Sequence, residues 1–372
     1  MSSCLKSITI RGFKSIQKLD RFDLSDLNVL IGANGAGKSN LVDFFRMLRA
    51  MADEGFQKFV NQQGGGDGFF FLGPQQTRQI SSRLEFGSNV YEFDLEPTAD
   101  GSIQIADERV QYTGGYGLGM LRSIGKGLRE SNLRTRKNDP ARMGQGQGVP
   151  GYVYDAVSSW TVYHFHDTGL LAPMRREQSA GDFEQLRPDA SNIAAFLWKL
   201  RHEHKQSYEL VRDTVRLIAP FFDDFLFRSR EKAGDEKLKL EWRQKGSDYP
   251  FQPSNLSDGT IRFICLATAL LQPTPPSAVV IDEPELGLHP FAITLIAELI
   301  QSAAAKTQVL ISTQSPTLLD HFQPKDIVVV NRDGGSSTFD RLDETELTEW
   351  LREYSVGELW QKNVVRGGPS HE

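Results

Sequence analysis

The sequence predicts an α/β fold: a mixed sheet with helices on its faces, an antiparallel β-meander near the N-terminus and a helical lobe. Three patterns carry that expectation. In the last third, "IRFICLATALL", "AVVIDE", "FAITLIAELIQSAAA", "TQVLIST", "SPTLLDHF" and "DIVVVNR" alternate helix-like and strand-like runs, which implies a parallel sheet. Near the start, a glycine-rich turn joins the buried-strand pattern "LNVLIG" to "LVDFFRMLRAM". In the latter, Leu41, Phe44, Phe45, Leu48 and Met51 recur at helical spacing. From residue 79 to 113 apolar and polar residues alternate, broken at "GSN" and "TADGS", as in a meander.

In chain order, "LKSITIRGF" alternates as a strand and leads to "LNVLIG", the turn and its helix. "FVNQQGGGDGFFFLG" reads as a glycine-punctuated loop before the meander. Residues 113–151 are rich in glycine and base, with Arg122, Lys126, Arg129, Arg134, Arg136, Lys137 and Arg142 close together. "SWTVYHFHDT" returns as a strand, residues 191–225 read as helical, and "FLFRSR" with "KLKLEWRQ" reads as a hairpin. The expected division is residues 1–112 and 251–372 as the two parts of one sheet-bearing lobe. Residues 113–164 form a basic insertion with a return strand, and 165–250 a helical lobe.

At 372 residues the chain has room for two medium domains or one large α/β domain with insertions. Hydrophobic content of 39% and charged content of 24% are those of a globular protein rather than a disordered one. No apolar run approaches the roughly 20 residues that span a bilayer, and "MSSCLKSITIRGF" lacks the apolar core of a signal peptide. Cys4 and Cys265 are far apart in sequence and form neither a disulfide framework nor a metal spacing, so a reducing cytoplasm is expected. A net charge of -6 argues against a general polyanion binder and leaves room for a local basic patch.

"GANGAGKS", Gly32 to Ser39, matches G-x-x-x-x-G-K-[ST] in full, with a buried strand before it and an amphipathic helix after. Gly32, Gly35 and Gly37 let backbone N–H groups converge on phosphate oxygens at a helix N-terminus. Lys38 reaches the β- and γ-phosphates and the Ser39 hydroxyl is a ligand for Mg²⁺. Far downstream, "AVVIDEPELGLHP" runs an apolar strand into Asp282 and Glu283. Carboxylates there emerge at the C-terminal end of a strand, where open α/β sheets bind ligands. Asp282 is placed to hold Mg²⁺ through its water shell, and Glu283 to act as general base for the attacking water. Read alone, "DEP" is also compatible with an acidic turn that Pro284 ends.

Together these stretches resemble the ABC-type ATPases, and more narrowly the RecF/SMC branch and the small OLD-like ATPases. The resemblance rests on "LKSITIRGFKSI" before "LNVLIGANGAGKSNL", on "NLSDGTIRF", "IDEPELGLHP" and "LISTQSP", and spans roughly residues 3–50 and 254–332. It implies a P-loop NTPase fold with ATP and Mg²⁺ as cofactors. Gly32, Ala33, Asn34, Gly35, Ala36, Gly37, Lys38, Ser39 and Asn40 would cradle the phosphates, with Lys14 of "GFKS" near them. Ser257, Asp258 and Gly259 match the family's signature motif, which contacts the γ-phosphate held by a second subunit. The resemblance therefore implies an ATP-dependent homodimer. Asp258 and Thr260 depart from the transporter pattern and speak against the ATPase subunit of a membrane transporter. Gln314 stands where such ATPases place a switch residue, often histidine. Glutamine hydrogen-bonds a water or phosphate oxygen but takes up no charge, so slow basal turnover is expected. The ending "WLREYSVGELWQKNVVRGG" resembles one bacterial group paired with nuclease-like partners and defence loci. A separate effector docked on this tail is the scaffold alternative.

Each of the weaker signals has a structural alternative. Ser257 suits a helix N-cap as well as a trans contact, and Gln314 precedes a helix that Ser315 caps. Lys14 is equally a solvated lysine after a strand. His166 and Asp167 are candidates for the residues that couple the γ-phosphate to the lobes. His164 and His166 alternate along a strand without a third ligand, and so read as ordinary polar residues rather than a metal site. The basic stretch 122–142 suits either nucleic acid, DNA included, or a solvated insertion.

Overall fold

The computed structural model describes residues 4–114, 119–139, 148–228, 230–232 and 235–365. The chain opens with β1 (Ser7–Phe13), β2 (Ile16–Asp23) and β3 (Leu27–Ile31), followed by helices α1 (Lys38–Ala52) and α2 (Phe56–Gln62). Strands β4 (Ile80–Phe86), β5 (Asn89–Pro97), β6 (Ile103–Tyr112) and β7 (Arg122–Leu128) lead to α3 (Leu133–Arg136) and α4 (Val149–Ser158). Then come β8 (Thr161–Tyr163), β9 (Gln178–Ser179), α5 (Ile193–Glu203) and α6 (Lys205–Ile218). Short strands β10 (Phe222–Leu226), β11 (Arg230–Lys232), β12 (Asp235–Leu238), β13 (Glu241–Gln244) and β14 (Pro250–Phe251) complete the middle. The last third holds α7 (Asp258–Leu271), β15 (Ala278–Asp282), α8 (Pro290–Ala304), β16 (Gln308–Thr313) and α9 (Pro316–Leu319). It closes with β17 (Ile327–Asp333), β18 (Ser336–Arg341), α10 (Glu344–Leu347) and α11 (Val356–Gln361).

Two six-stranded sheets dominate. One is antiparallel, ordered β2-β1-β4-β5-β6-β7; the other runs β18-β17-β3-β16-β15-β8, parallel except for the edge strand β18. The parallel sheet is buried on both faces. Val29, Ile31, Val309 and Ile311 face one core, shared with α5 to α8, while Leu30 and Leu310 face a second core under α1 and the meander. This two-sided burial is why its strands read as continuous apolar runs. The mixed α/β fold expected from the sequence, with its N-terminal meander, is the fold observed.

Several local expectations are corrected. Ile16–Asp23 is a strand although no period-two pattern announces it: its buried residues Ile16, Leu19 and Phe22 lie three apart, and the β1·β2 register shifts at a bulge between Leu19 and Phe22. Phe56–Gln62 is a helix rather than loop, because the Glu130 carboxylate accepts from Phe56 N at 2.8 Å and Gln57 N at 3.0 Å and so caps it from a distant segment. The helical stretch after residue 191 breaks at His204, whose ψ of 56° is not helical. "FLFRSR" divides, β10 pairing with β13 and β11 with β12. β8 ends at Tyr163, so His164 and His166 follow the strand instead of sharing its face. The C-terminal segment "ELWQKNVV" packs on its own lobe: Leu359 is fully buried and Gly357 N donates to Asp320 Oδ1 at 2.7 Å.

Within the meander, Glu108 is fully buried and accepts from Tyr91 Oη at 2.7 Å, Ser131 Oγ at 2.5 Å and Asn132 N at 2.8 Å. Glu108→Ala leaves those three donors without their acceptor. It should cost about 3 kcal/mol or more of unfolding free energy, seen as a lower urea midpoint at unchanged m-value.

Candidate functional site

The glycine-rich turn leaves the end of β3 and enters α1 in the tight geometry that its glycines permit. A Cβ on Gly32 would lie 2.2 Å from Val330 O, and one on Gly37, where φ is +113°, 2.0 Å from Ser337 Oγ. Neither position admits a side chain. From outside, Ser337 Oγ donates to Ala36 O at 2.5 Å and shares a 2.6 Å hydrogen bond with Ser15 Oγ, to which Asn40 Nδ2 donates. The Lys38 ammonium is curled over the loop, donating to Gly32 O at 2.7 Å and Ala33 O at 3.2 Å. Burial pulls the Lys38 pKa below the usual lysine value, and the charges of Glu283, Asp282 and Glu285 pull it back up. Ser39 is exposed in the first turn of α1.

The ends of β15 and β16 are tied crosswise. Ser312 Oγ donates to Asp282 Oδ1 and Glu283 N to Ser312 O. Glu283 has φ of +46°, a left-handed conformation unusual for a residue other than glycine. Gln314 Nε2 donates to Glu283 Oε1 at 2.5 Å, so the switch position holds the carboxylate directly. Glu285 stands behind them, accepting from Thr313 Oγ1 at 2.6 Å and Gln314 N at 3.2 Å. Burial first, and Glu283 among the further causes, raise the Glu285 pKa. The oxygen donors expected for a divalent ion are the Ser39 hydroxyl and the Asp282 carboxylate, and among the described residues no group of three or more His, Cys, Asp or Glu could hold a metal. That sparse oxygen set fits Mg²⁺, which keeps waters and substrate phosphates as its remaining ligands.

Ser257 is the N-cap of α7, its Oγ accepting from Thr260 N at 3.1 Å. The N–H groups of Asp258 and Gly259 in the first turn lie beyond the reach of intrahelical acceptors, and Ser257 and Asp258 are exposed. Two buried arginines that were not expected as site residues hold this helix start. Arg175 donates to Thr168 O, to the carbonyls of Pro253 and Leu256, and to Asp258 Oδ1 at 2.8 Å. Arg262 donates to Phe165 O at 2.8 Å, His166 O at 2.9 Å and Leu286 O. Gly259 meets the loop after Glu283 so closely that a Cβ would fall 2.5 Å from Gly287 O.

Lys14 is not solvated: its Nζ pairs with Asp43 at 2.6 Å and lies 5.4 Å from the Phe69 ring centroid. It lines an open cleft of about 320 Å³ beside α1, with Asn40, Phe70, Leu72, Arg332 and Gly335. His166 Nε2 lies 2.9 Å from Asp282 O, whereas Asp167 makes only a local bond to Gly169 N. Of the basic stretch, Arg122 and Arg136 pair with Asp139, Lys126 with Asp107, Arg129 with Asp100 and Arg134 with Glu54, while Lys137 lies over the Tyr154 ring. Arg122 and Arg136 share the one Asp139 carboxylate, and Arg142 lies outside the described residues.

A phosphate loop, an acidic strand end beside it and an exposed capped helix start, built on this sheet, define an ABC-type ATPase lobe of the RecF/SMC/OLD-like branch. The chain belongs to the family described as "AAA domain, putative AbiEii toxin, Type IV TA system", which matches residues 27–99 and 153–320. No curated protein matches it in sequence. Among solved structures it is similar to an SMC head bound to the C-winged helix domain of ScpA, at 14% identity and TM-score 0.59, covering 93% of this chain and 99% of that one. The SMC head of Pyrococcus furiosus, with an extended coiled coil and bound to the C-terminal domain of ScpA, matches at 14% identity and TM-score 0.51, covering 94% and 98%. Among the described residues no helix is long and apolar enough to cross a membrane.

Lys38→Ala removes the one ammonium enclosed by the loop. Nucleotide affinity should fall about ten- to a hundredfold, the worth of a charged hydrogen bond, in a fluorescent-nucleotide titration with the melting temperature checked alongside.

Proposed function

We propose that this chain binds and hydrolyses ATP with Mg²⁺, closes as a homodimer around the nucleotide, and acts as a nucleotide-gated switch. The observation that carries the reading is the ladder that brings the phosphate loop and the acidic strand end, far apart in sequence, to one edge of the sheet: Ile31 lies opposite Thr313 and Asp282 opposite Ser312. The loop amides and Lys38 would bind the phosphates, and the cleft by Lys14 and Asn40 would accept the rest of the nucleotide. Mg²⁺ would be held by Ser39 and, through water, by Asp282, where it neutralises developing phosphate charge. Gln314 holds Glu283 Oε1, which leaves Oε2 to take the proton from the attacking water. Because Gln314 cannot become cationic, turnover is expected to be slow.

The signature segment supports pairing. Ser257 and Asp258 are exposed at the N-terminus of a 14-residue helix, where first-turn amides favour an anion. A second copy would bring its γ-phosphate to them. The family description, with its toxin and TA system, supports a role in DNA-related or defence processes alongside a separate effector such as a nuclease. The cations of 122–139 are half-exposed and mostly paired with nearby carboxylates, and the described part of the tail packs on its own lobe, so neither adds support for DNA binding or for the scaffold alternative.

Glu283→Gln keeps the shape of the site and removes the base. It should bind ATP and lose turnover by about a hundredfold or more, and it should sediment as a dimer at saturating ATP and Mg²⁺. A monomer under those conditions would falsify the paired site.

A further inference from the structure

Behind Glu283 stands a carboxyl group that the ATPase chemistry does not use. Glu285 Oε1 receives two hydrogen bonds from the turn after β16: Thr313 Oγ1 at 2.6 Å and Gln314 N at 3.2 Å. The same Thr313 hydroxyl accepts from Ser315 N at 3.0 Å, so one carboxyl oxygen organises Thr313, Gln314 and Ser315 together. Its other oxygen, Oε2, is shielded from solvent and has no hydrogen-bond partner among the described residues. A buried polar atom left unpaired is costly, on the order of 1–3 kcal/mol, so a simple packing role would favour an apolar or smaller residue here. What the turn supports is Gln314, whose side-chain amide is fastened to Glu283 Oε1 at 2.5 Å.

We propose that Glu285 is a positioning residue, setting through the Thr313–Gln314 turn where the Gln314 amide holds the Glu283 carboxylate. The inference rests on the reading of Glu283 as general base. Gln314 is the middle of the relay: its backbone N–H is fixed by Glu285 and its side chain fixes Glu283. Removing the Glu285 carboxyl frees the turn to rotate. The Glu283 carboxylate, already in a left-handed backbone conformation, then loses the donor that orients it. Substrate binding is made by other groups, the phosphate loop and Lys38, and is left in place.

Steady-state ATP hydrolysis with Mg²⁺ by the full chain tests this. Glu285→Ala should lower kcat about ten- to a hundredfold, the scale expected for a base misplaced by around 1 Å, with KM for ATP within about twofold of the parent. Glu285→Gln, whose amide oxygen can still accept from Thr313 and Gln314, should recover most of that loss. Glu283→Gln combined with Glu285→Ala should be no slower than Glu283→Gln alone, because the second change acts through the first. Thr313→Val cuts the same relay without touching Glu285 and should lower kcat in the same way, which keeps the test open if Glu285→Ala fails to fold. A parent-like kcat in a folded Glu285→Ala or Thr313→Val protein, or additive losses in the double variant, would overturn the positioning role while Glu283→Gln still abolished turnover. Full turnover in Glu283→Gln would instead overturn the general-base reading, and the relay with it.

Discussion

In the parallel ladders, Asp282 lies opposite Ser312, and Thr313 opposite Ile31. The segment entering the phosphate loop, the acidic strand end and the switch strand thus finish level with one another at one edge of the sheet. Side chains alternate along a strand, so a slip of one residue in either ladder would turn Asp282 or Ser312 to the opposite face. The register is held by burial: Val29, Ile31, Val309, Ile311, Val279 and Ile281 pack into one core. Leu30, Leu310 and Val280 pack into the other. A sheet enclosed on both sides has no solvent face onto which a misplaced residue could turn cheaply. The catalytic geometry is therefore a consequence of hydrophobic alternation in β3, β15 and β16.

The second constraint joins that edge to α7. Gly259 touches the carbonyl of Gly287 with no room for a methyl group, and Arg262 spans from α7 to the carbonyls of Phe165, His166 and Leu286. His166 in turn bonds the carbonyl of Asp282. A guanidinium presents its donors in a fixed planar fork, so Arg262 ties two loops to its own helix. Arg175 holds the start of α7 as well, its side chain 3% exposed while its partner Asp258 is 68% exposed. The acidic strand end and the start of α7 are thereby tied through one hydrogen-bonded set, from Asp282 O through His166 to Arg262.

What could be read from the sequence divides along the range of the interactions. The phosphate loop, the acidic strand and the cap at Ser257 are local: spacing and flanking patterns within a dozen residues define them, and the mixed sheet follows from periodicity. The residues that went unnoticed act across the chain. Ser15 and Ser337, which brace the phosphate loop, and Glu130, which caps α2, are ordinary polar residues until folding brings their partners beside them. Arg175 stands in a stretch with no motif and Arg262 at the end of the signature stretch, and their bonds go mostly to backbone carbonyls, which leave no mark on sequence. Glu285 did have a signal, as a third acid within "DEPE", but an acid in a loop is usually solvated. The strand β2 was hidden because its buried residues recur every third position instead of every second, with a bulge between Leu19 and Phe22.

The conformation of Glu283 explains why so many of these long-range contacts converge where they do. A left-handed backbone at a non-glycine residue costs on the order of 1–3 kcal/mol and persists only where the surroundings over-determine it. Here the surroundings do so: Glu283 N is bonded to Ser312 O, its carboxylate to Gln314, and its own carbonyl accepts from Leu286 N at 3.2 Å. Pro284 follows, and proline restricts the residue before it to extended conformations, so sequence preference opposes the observed geometry and packing overrides it. An extended Glu283 would carry its carboxylate away from Gln314 and from the ammonium of Lys38. The contacts that maintain the strain, from Ser312 to the backbone and from Gln314 to the side chain, are thus the same ones that fix the direction of the Glu283 carboxylate.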